Sequence, residues 1–195
     1  MIKNHNRQFT SFEDYLKSEP QGDCLGELFN GRLIELPPES GRNVRITMFL
    51  LLQFARWIDF DLIRGHGLEL EVEGEPKNRF PDLTILREEH VELLESRNII
   101  RQKMPPPRLV IEVVSPGKIQ YERDYIAKKF QYQQIGVEEY WLVDSQNAIV
   151  TILVLEQGIY QIYCIASGSS HLESKQFPQL NYLSAKEILR GKLIE

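Results

Sequence analysis

The chain has 195 residues, of which 42% are hydrophobic and 26% charged, the make-up of a globular protein able to bury a core of its own. Its formal net charge of −5 excludes a global basic field of the kind that drives non-specific nucleic-acid binding, although a local basic patch or bound divalent cations can reverse the sign at one site. Two cysteines, Cys24 and Cys164, stand far apart with no CxxC or Cys/His grouping, which argues against a zinc site or a disulfide framework and for a reducing compartment.

The opening stretch, MIKNHNRQFTSFEDYLKSEP, has no apolar core of a signal peptide, and Thr10-Ser11 followed by Glu13-Asp14 predicts a short helix through Lys17. In GELFNGRLIELPP two short strands flank Asn30-Gly31, the strongest two-residue hairpin signal. From about Val44 to Phe60, the residues Val44, Met48, Leu51, Leu52, Ala55 and Ile58 recur at helical spacing and predict a long core helix. Its apolar run, ITMFLLLQFARWI, is broken by Gln53 and Arg56 and is shorter than a bilayer span, so a cytoplasmic protein with no membrane partner is expected.

GLELEV alternates as a half-buried strand, and PDLTIL forms another, opened by Pro81. REEHVELLESR predicts a helix in an insertion closed by Pro105-Pro106-Pro107, a segment that could serve as a lid or contact surface. RLVIEVVSPG holds a core strand, and a helix from about Glu122 to Ile135 is stopped by Gly136. EEYWLVD is a further strand, and a hairpin turns at Gln157-Gly158. Ser184 and Glu187 form a capping box that starts the last helix. With no repeat or linker, residues 1–195 read as a single α/β domain, a mixed sheet flanked by helices with an added antiparallel hairpin near the C-terminus.

One residue stands out against this pattern. Glu112 lies in a strand otherwise made of Leu, Val and Ile, where an ionised carboxylate costs several kcal/mol, on the order of 3–5, unless it is partnered. Alternation places Val110, Glu112 and Val114 on one face. If the PDLTIL strand pairs with this one, Asp82 and Glu112 share that face, and two carboxylates so close repel unless a cation lies between them. Mg²⁺, or Mn²⁺, resolves the conflict, and Lys128 on the following helix would add a point charge for a phosphate or the attacking water. The chemistry implied is metal-assisted phosphodiester hydrolysis. Taken singly, each residue has a blander reading: a turn aspartate, a solvent-facing glutamate, a lysine paired to Asp124 at i,i+4. His66, between two glycines, and His90, at a helix start, read as surface residues. Trp57, Tyr140 and Trp141 read as core or interface aromatics, and Tyr125 and Tyr132 as packing residues.

Pro81-Asp82, then Glu112-Val113-Val114-Ser115-Pro116, then Asp124, Lys128, Tyr132, Gly136-Val137, Glu139-Tyr140-Trp141 and Asp144 form a series that resembles the Uma-type family of restriction endonucleases in the PD-(D/E)XK nuclease superfamily. The likeness runs from about residue 25 to 145 and takes in GELFNGRLIELPP. It implies a restriction-endonuclease-like core and a Mg²⁺-dependent endonuclease acting on DNA. Asp82 and Glu112 would hold the metal, with the Val113 carbonyl as a further ligand. The motif's lysine position holds Val114, and the resemblance implies a lysine moved to the next helix, where Lys128 stands; Lys129 and Lys118 are weaker substitutes. Glu27 or Glu35 would complete the acidic cluster. Where family members often carry a His near the start of the long helix, this chain has Arg42-Asn43. Two rival readings follow: a catalytically silent nuclease-fold module that binds nucleic acid or a protein, and a homo-oligomeric domain, a homodimer for example, that associates through EEYWLVD and the C-terminal hairpin.

Overall fold

A computed structural model describes residues 7–18, 25–117 and 122–193. The first helix, α1 (Phe12–Leu16), starts where the Ser11 hydroxyl accepts from the Asp14 amide at 3.1 Å. The Asn30-Gly31 turn joins β1 (Gly26–Phe29) to β2 (Arg32–Glu35), both turn residues adopting the positive φ that this tight hairpin requires. Helix α2 (Gly41–Phe54) is capped by Ser40, whose hydroxyl accepts from the Asn43 amide.

Two features of α2 differ from expectation. It ends at Phe54, and its inward face carries Ile46, Phe49, Leu50 and Phe54. Val44, Met48 and Leu52, the expected core stripe, face outward, as does Trp57 beyond the helix. The helix is apolar on more than one face, so periodicity alone does not decide which face the sheet covers.

Six strands form the central sheet in the order β11-β10-β9-β8-β6-β3, comprising β3 (Ile63–Gly65), β6 (Leu83–Ile85), β8 (Leu109–Val114), β9 (Glu139–Asp144), β10 (Ile149–Glu156) and β11 (Ile159–Ser167). Only β8 and β9 run parallel; the other neighbours pair antiparallel, which makes the sheet mixed. A smaller sheet contains β4 (Glu69–Glu71), β5 (Asn78–Arg79) and β7 (Ile99–Ile100).

Strand alternation divides the core in two. Leu109, Ile111 and Val113 pack on one side with α2 and the last helix, α5 (Ala185–Arg190), whose capping box at Ser184 and Glu187 is present as expected. Val110 and Val114 pack on the other side with Leu70, Tyr132 and Tyr140. That second side is covered by α4, a π-helical stretch Glu122–Lys128 that continues as α-helix Lys129–Ile135 and stops at Gly136, which adopts a left-handed φ of 87°.

The insertion between Asp82 and Glu112 is fastened down. Its helix, α3 (Glu89–Leu93), spans far less than REEHVELLESR. His90 is fully buried and bonds the Pro105 carbonyl at 2.8 Å, so it is a structural residue and not a surface one. Arg87 donates to the Pro106 carbonyl. Among the described residues, no helix is long and apolar enough to cross a membrane.

Candidate active site

The register of three adjacent strands builds one end of the site. Leu83 pairs with Ile111, so the next step of the antiparallel ladder sets Asp82 opposite Glu112. On the other side the β3–β6 ladder ends at Gly65↔Leu83, and His66, just beyond it, has its Nδ1 3.9 Å from Asp82 Oδ1. Residues directly opposite in an antiparallel pair project to the same face. Asp82 and Glu112 thus share the face covered by α4, and His66 lines the same cavity.

Glu112 is buried, and both of its oxygens are met from α4. Lys128 Nζ lies 2.7 Å from Oε2, and the Tyr132 hydroxyl donates to Oε1 at 2.7 Å. Asp124 Oδ1 is 3.2 Å from Lys128 Nζ and is itself held by Arg123 Nε at 3.0 Å. Asp124, Lys128 and Tyr132 follow one another at four-residue steps on one face of α4, which is why one helix can present an acid, a base and a hydroxyl to a single strand residue. The π-helical stretch lies at this point, as such bulges often do at functional sites.

Asp82 is also buried, and its Oδ2 accepts from the Val113 amide at 2.6 Å. Burial, reinforced by the Glu112 charge, pushes its carboxyl well above the usual range; Lys128 and the Val113 amide act the other way. Burial likewise raises Glu112, against the pull of Lys128. For Lys128, burial works to lower its pKa, but Glu112 and Asp124 outweigh it and keep the ammonium charged. Acid, acid and base are therefore electrostatically linked, with Asp82 the member that has least internal compensation.

A cavity of about 180 Å³ opens beside these groups and is lined by Asp82, Glu112, Lys128, Glu27, Glu39, His66 and Arg123 among others. Glu27 reaches it while paired to Arg79 at 2.9 Å; Glu35 is exposed on β2 and does not line it. Lys129 does not line it either, and Lys118 lies outside the described residues. Asn43 occupies the helix start where the resemblance leads one to expect a His. Its side-chain amide donates toward the Val113 carbonyl at 3.3 Å, Ser115 Oγ at 3.0 Å and Glu39 Oε2 at 2.9 Å. A carbonyl has two lone pairs, so the contact from Asn43 leaves Val113 capable of a further interaction.

Among the described residues, no group of three or more His, Cys, Asp or Glu side chains is placed to hold a metal ion. What lines the cavity is a pair of carboxylates, Asp82 and Glu112, donors of the kind that a hard divalent cation keeping several of its waters would take. Asp82, Glu112 and the Val113 carbonyl would be the groups to hold such an ion.

Two contributors are not legible as such in the sequence. His66 reads there as a surface residue, yet its Nδ1 is 3.9 Å from Asp82 Oδ1. Burial pushes its pKa down. Tyr132 reads as a packing residue, and it does pack, but its hydroxyl also secures Glu112. The four-residue step from Lys128 is the available signal for Tyr132; for His66 only strand register carries it. Replacing Tyr132 with Phe leaves Glu112 Oε1 buried without its donor, and thermal unfolding should show a loss of about 2 kcal/mol, the usual worth of a hydrogen bond to a charged group.

A mixed sheet flanked by helices, with acidic residues on neighbouring strands and a lysine brought in from the next helix, defines a nuclease-like α/β fold. A crystal structure of a putative nuclease belonging to DUF820, from Anabaena variabilis, matches it with a TM-score of 0.67 over 94% of this chain and 99% of that one, at 16% identity. The family model of Uma2, described as putative restriction endonuclease, matches residues 12–186, and the chain belongs to that family. Among curated proteins the comparison finds no match.

Proposed function

We propose that the chain is a divalent-metal-dependent endonuclease that hydrolyses DNA phosphodiester bonds and works as one nuclease domain. The observation that carries the reading is the convergence of Asp82 from just before β6, Glu112 from the middle of β8 and Lys128 from α4 on one cavity. Asp82, Glu112 and the Val113 carbonyl would hold Mg²⁺ or Mn²⁺. Bound there, such an ion supplies Lewis-acid polarisation of a phosphoryl oxygen and a lowered pKa for water.

The chain's own residues do the rest. Lys128, kept charged by Glu112 and Asp124, stands beside the reacting carboxylates and positions a water or a phosphate oxygen for in-line attack. Tyr132 and Asp124 fix that lysine and its partner in place. Arg123, half-buried on the cavity wall, offsets the excess of carboxylates and gives a phosphate a cationic surface to approach. The net charge of −5 makes such local cations necessary for a polyanionic substrate.

Nicking of supercoiled plasmid by purified protein tests the reading. Conversion to open circles with Mg²⁺ or Mn²⁺, its loss with EDTA, and its loss in Glu112→Gln are the expected results. One observation favours the silent-module reading instead: both Glu112 oxygens already have partners inside the protein. No nicking by a folded wild type with either ion would favour that module.

A further inference from the structure

We infer that Arg42 and Arg45 of α2, with Arg190 and Lys192 at the end of α5, form a track that holds the phosphate backbone of DNA beside the cleavage point. This rests on the reading of the chain as a DNA-cutting enzyme and extends it from the cavity to the outer surface.

The charge of the chain is distributed unevenly. Many of its cations are answered by carboxylates: Arg79 by Glu27, Arg87 by Glu138, Arg97 by Glu69 and Arg101 by Glu71. The stretch from Gly41 to Ile58, by contrast, carries Arg42, Arg45 and Arg56 and no acidic residue. Arg42 and Arg45 are exposed, and among the described residues neither takes part in an ion pair. The same holds for Lys186, Arg190 and Lys192 in and after α5, where Glu187, the only acid between Ala185 and Leu193, is bound into the capping box.

These cations make one surface. Arg42 and Arg45 stand three residues apart on one side of α2, about 4.5 Å along its axis. Gly191, the C-cap of α5, comes so close that a Cβ there would lie 2.9 Å from Arg45 Cγ, which brings Arg190 and Lys192 alongside Arg45. The track begins at the site: Ser40, the N-cap of α2, lines the cavity with Asp82, Glu112 and Lys128, and Arg42 follows two residues on.

On a chain of net charge −5, such a surface is complementary to a polyanion. Consecutive phosphates of one DNA strand follow about every 3.4 Å of duplex axis, a repeat comparable to the step from Arg42 to Arg45. Each guanidinium can grip a phosphate through two hydrogen bonds. Val44, Met48 and Leu52 are exposed on the same helix, a combination that an anionic membrane would also take. Continuity with the cavity favours DNA.

Fluorescence anisotropy of a labelled DNA duplex with metal-free protein, over a range of salt concentrations, reads binding without cleavage. The triple variant Arg42→Gln, Arg45→Gln, Arg190→Gln removes the charges and keeps the Cγ of Arg45 that Gly191 approaches. Lys77→Gln with Lys175→Gln removes two exposed cations elsewhere. The triple variant should bind at least about tenfold more weakly at about 0.1 M salt, and its plot of log affinity against log salt should lose about 2–3 units of slope, roughly 0.9 per phosphate contact. The double variant should keep both values. Unchanged affinity and slope in a folded triple variant would overturn the track, even where wild type nicks plasmid. Track-dependent DNA binding by a wild type that nicks nothing would support the track and count against the catalytic reading alone. Binding of wild type to phosphatidylserine vesicles but not to DNA, lost in the triple variant, would assign the face to a membrane and overturn the inference.

Discussion

Lys128→Met should lower plasmid nicking by about 10²–10⁴-fold, the range for losing a positioned proton-transfer or charge-stabilising group. It should also lower stability by about 3–5 kcal/mol, because it leaves two buried carboxylates, Glu112 and Asp124, without the ammonium between them. A second substitution separates the two effects. Glu112→Gln combined with Lys128→Met removes both charges of the closest pair, while Asp124 keeps its contact with Arg123. Replacing a whole buried pair by neutral groups costs far less than removing one member. The double variant should regain much of the lost stability and none of the activity, as read by urea unfolding and nicking on the same preparations.

Asp82→Asn should act in opposite directions on stability and function. The metal-free protein carries Asp82 with its carboxyl pushed well above the usual range by burial and by Glu112. An acid whose folded-state pKa is raised contributes fully to stability below the pKa it has when unfolded, and that contribution is lost as pH rises through the folded value. At neutral pH it is therefore already a cost, and the amide removes it while its oxygen still accepts from the Val113 amide. Thermal unfolding of metal-free protein at pH 7 should show Asp82→Asn more stable by about 1–3 kcal/mol, the usual penalty for a buried polar group left incompletely satisfied. The gain should vanish in acid, below the ordinary aspartate range. The same variant should bind no cation and nick no DNA, the trade-off expected where a strained site is kept for its chemistry. A drop in stability at neutral pH would show instead that the carboxylate is fully compensated inside the folded protein.

Much of the fold can be read in the sequence, and the reasons are local. Asn30-Gly31, Gln157-Gly158, Gly136 and the Ser184–Glu187 box each specify their turn or cap through short-range chemistry, and each stands where expected. The strand alternation that sets Glu112 with Val110 and Val114 is equally local, and the two core clusters divide along it. What sequence does not convey depends on tertiary covering. The face of α2 that meets the sheet is chosen by packing, so periodicity puts Val44, Met48 and Leu52 on the wrong side. The insertion is held in place by His90 and Arg87, which bond back to the proline segment through contacts that no periodicity encodes.

The candidate site divides in the same way. Glu112 stands out in the sequence because a buried acid needs a partner, the resemblance adds Asp82 and Lys128, and the structure brings all three to one cavity. The partner found for Glu112 is first of all Lys128, with Tyr132 on its other oxygen. Asp82 remains the carboxylate with least compensation, and its place beside Glu112 is what supports the proposed cation. The place of His66 beside Asp82 is out of reach of sequence reasoning because it depends on how β3 and β6 pair, a non-local fact.

The claim on which everything else depends is that Asp82 and Glu112 share a divalent cation. Calorimetric titration of Mn²⁺ into wild type, Asp82→Asn and Glu112→Gln at neutral pH tests it most directly. One Mn²⁺ site is expected in wild type, lost in both variants, with wild-type affinity falling on acidification from a higher pH than an ordinary aspartate would give. A folded wild type that takes up no Mn²⁺, alone or with DNA present, would contradict the claim and leave Glu112 as the structural counter-charge of Lys128.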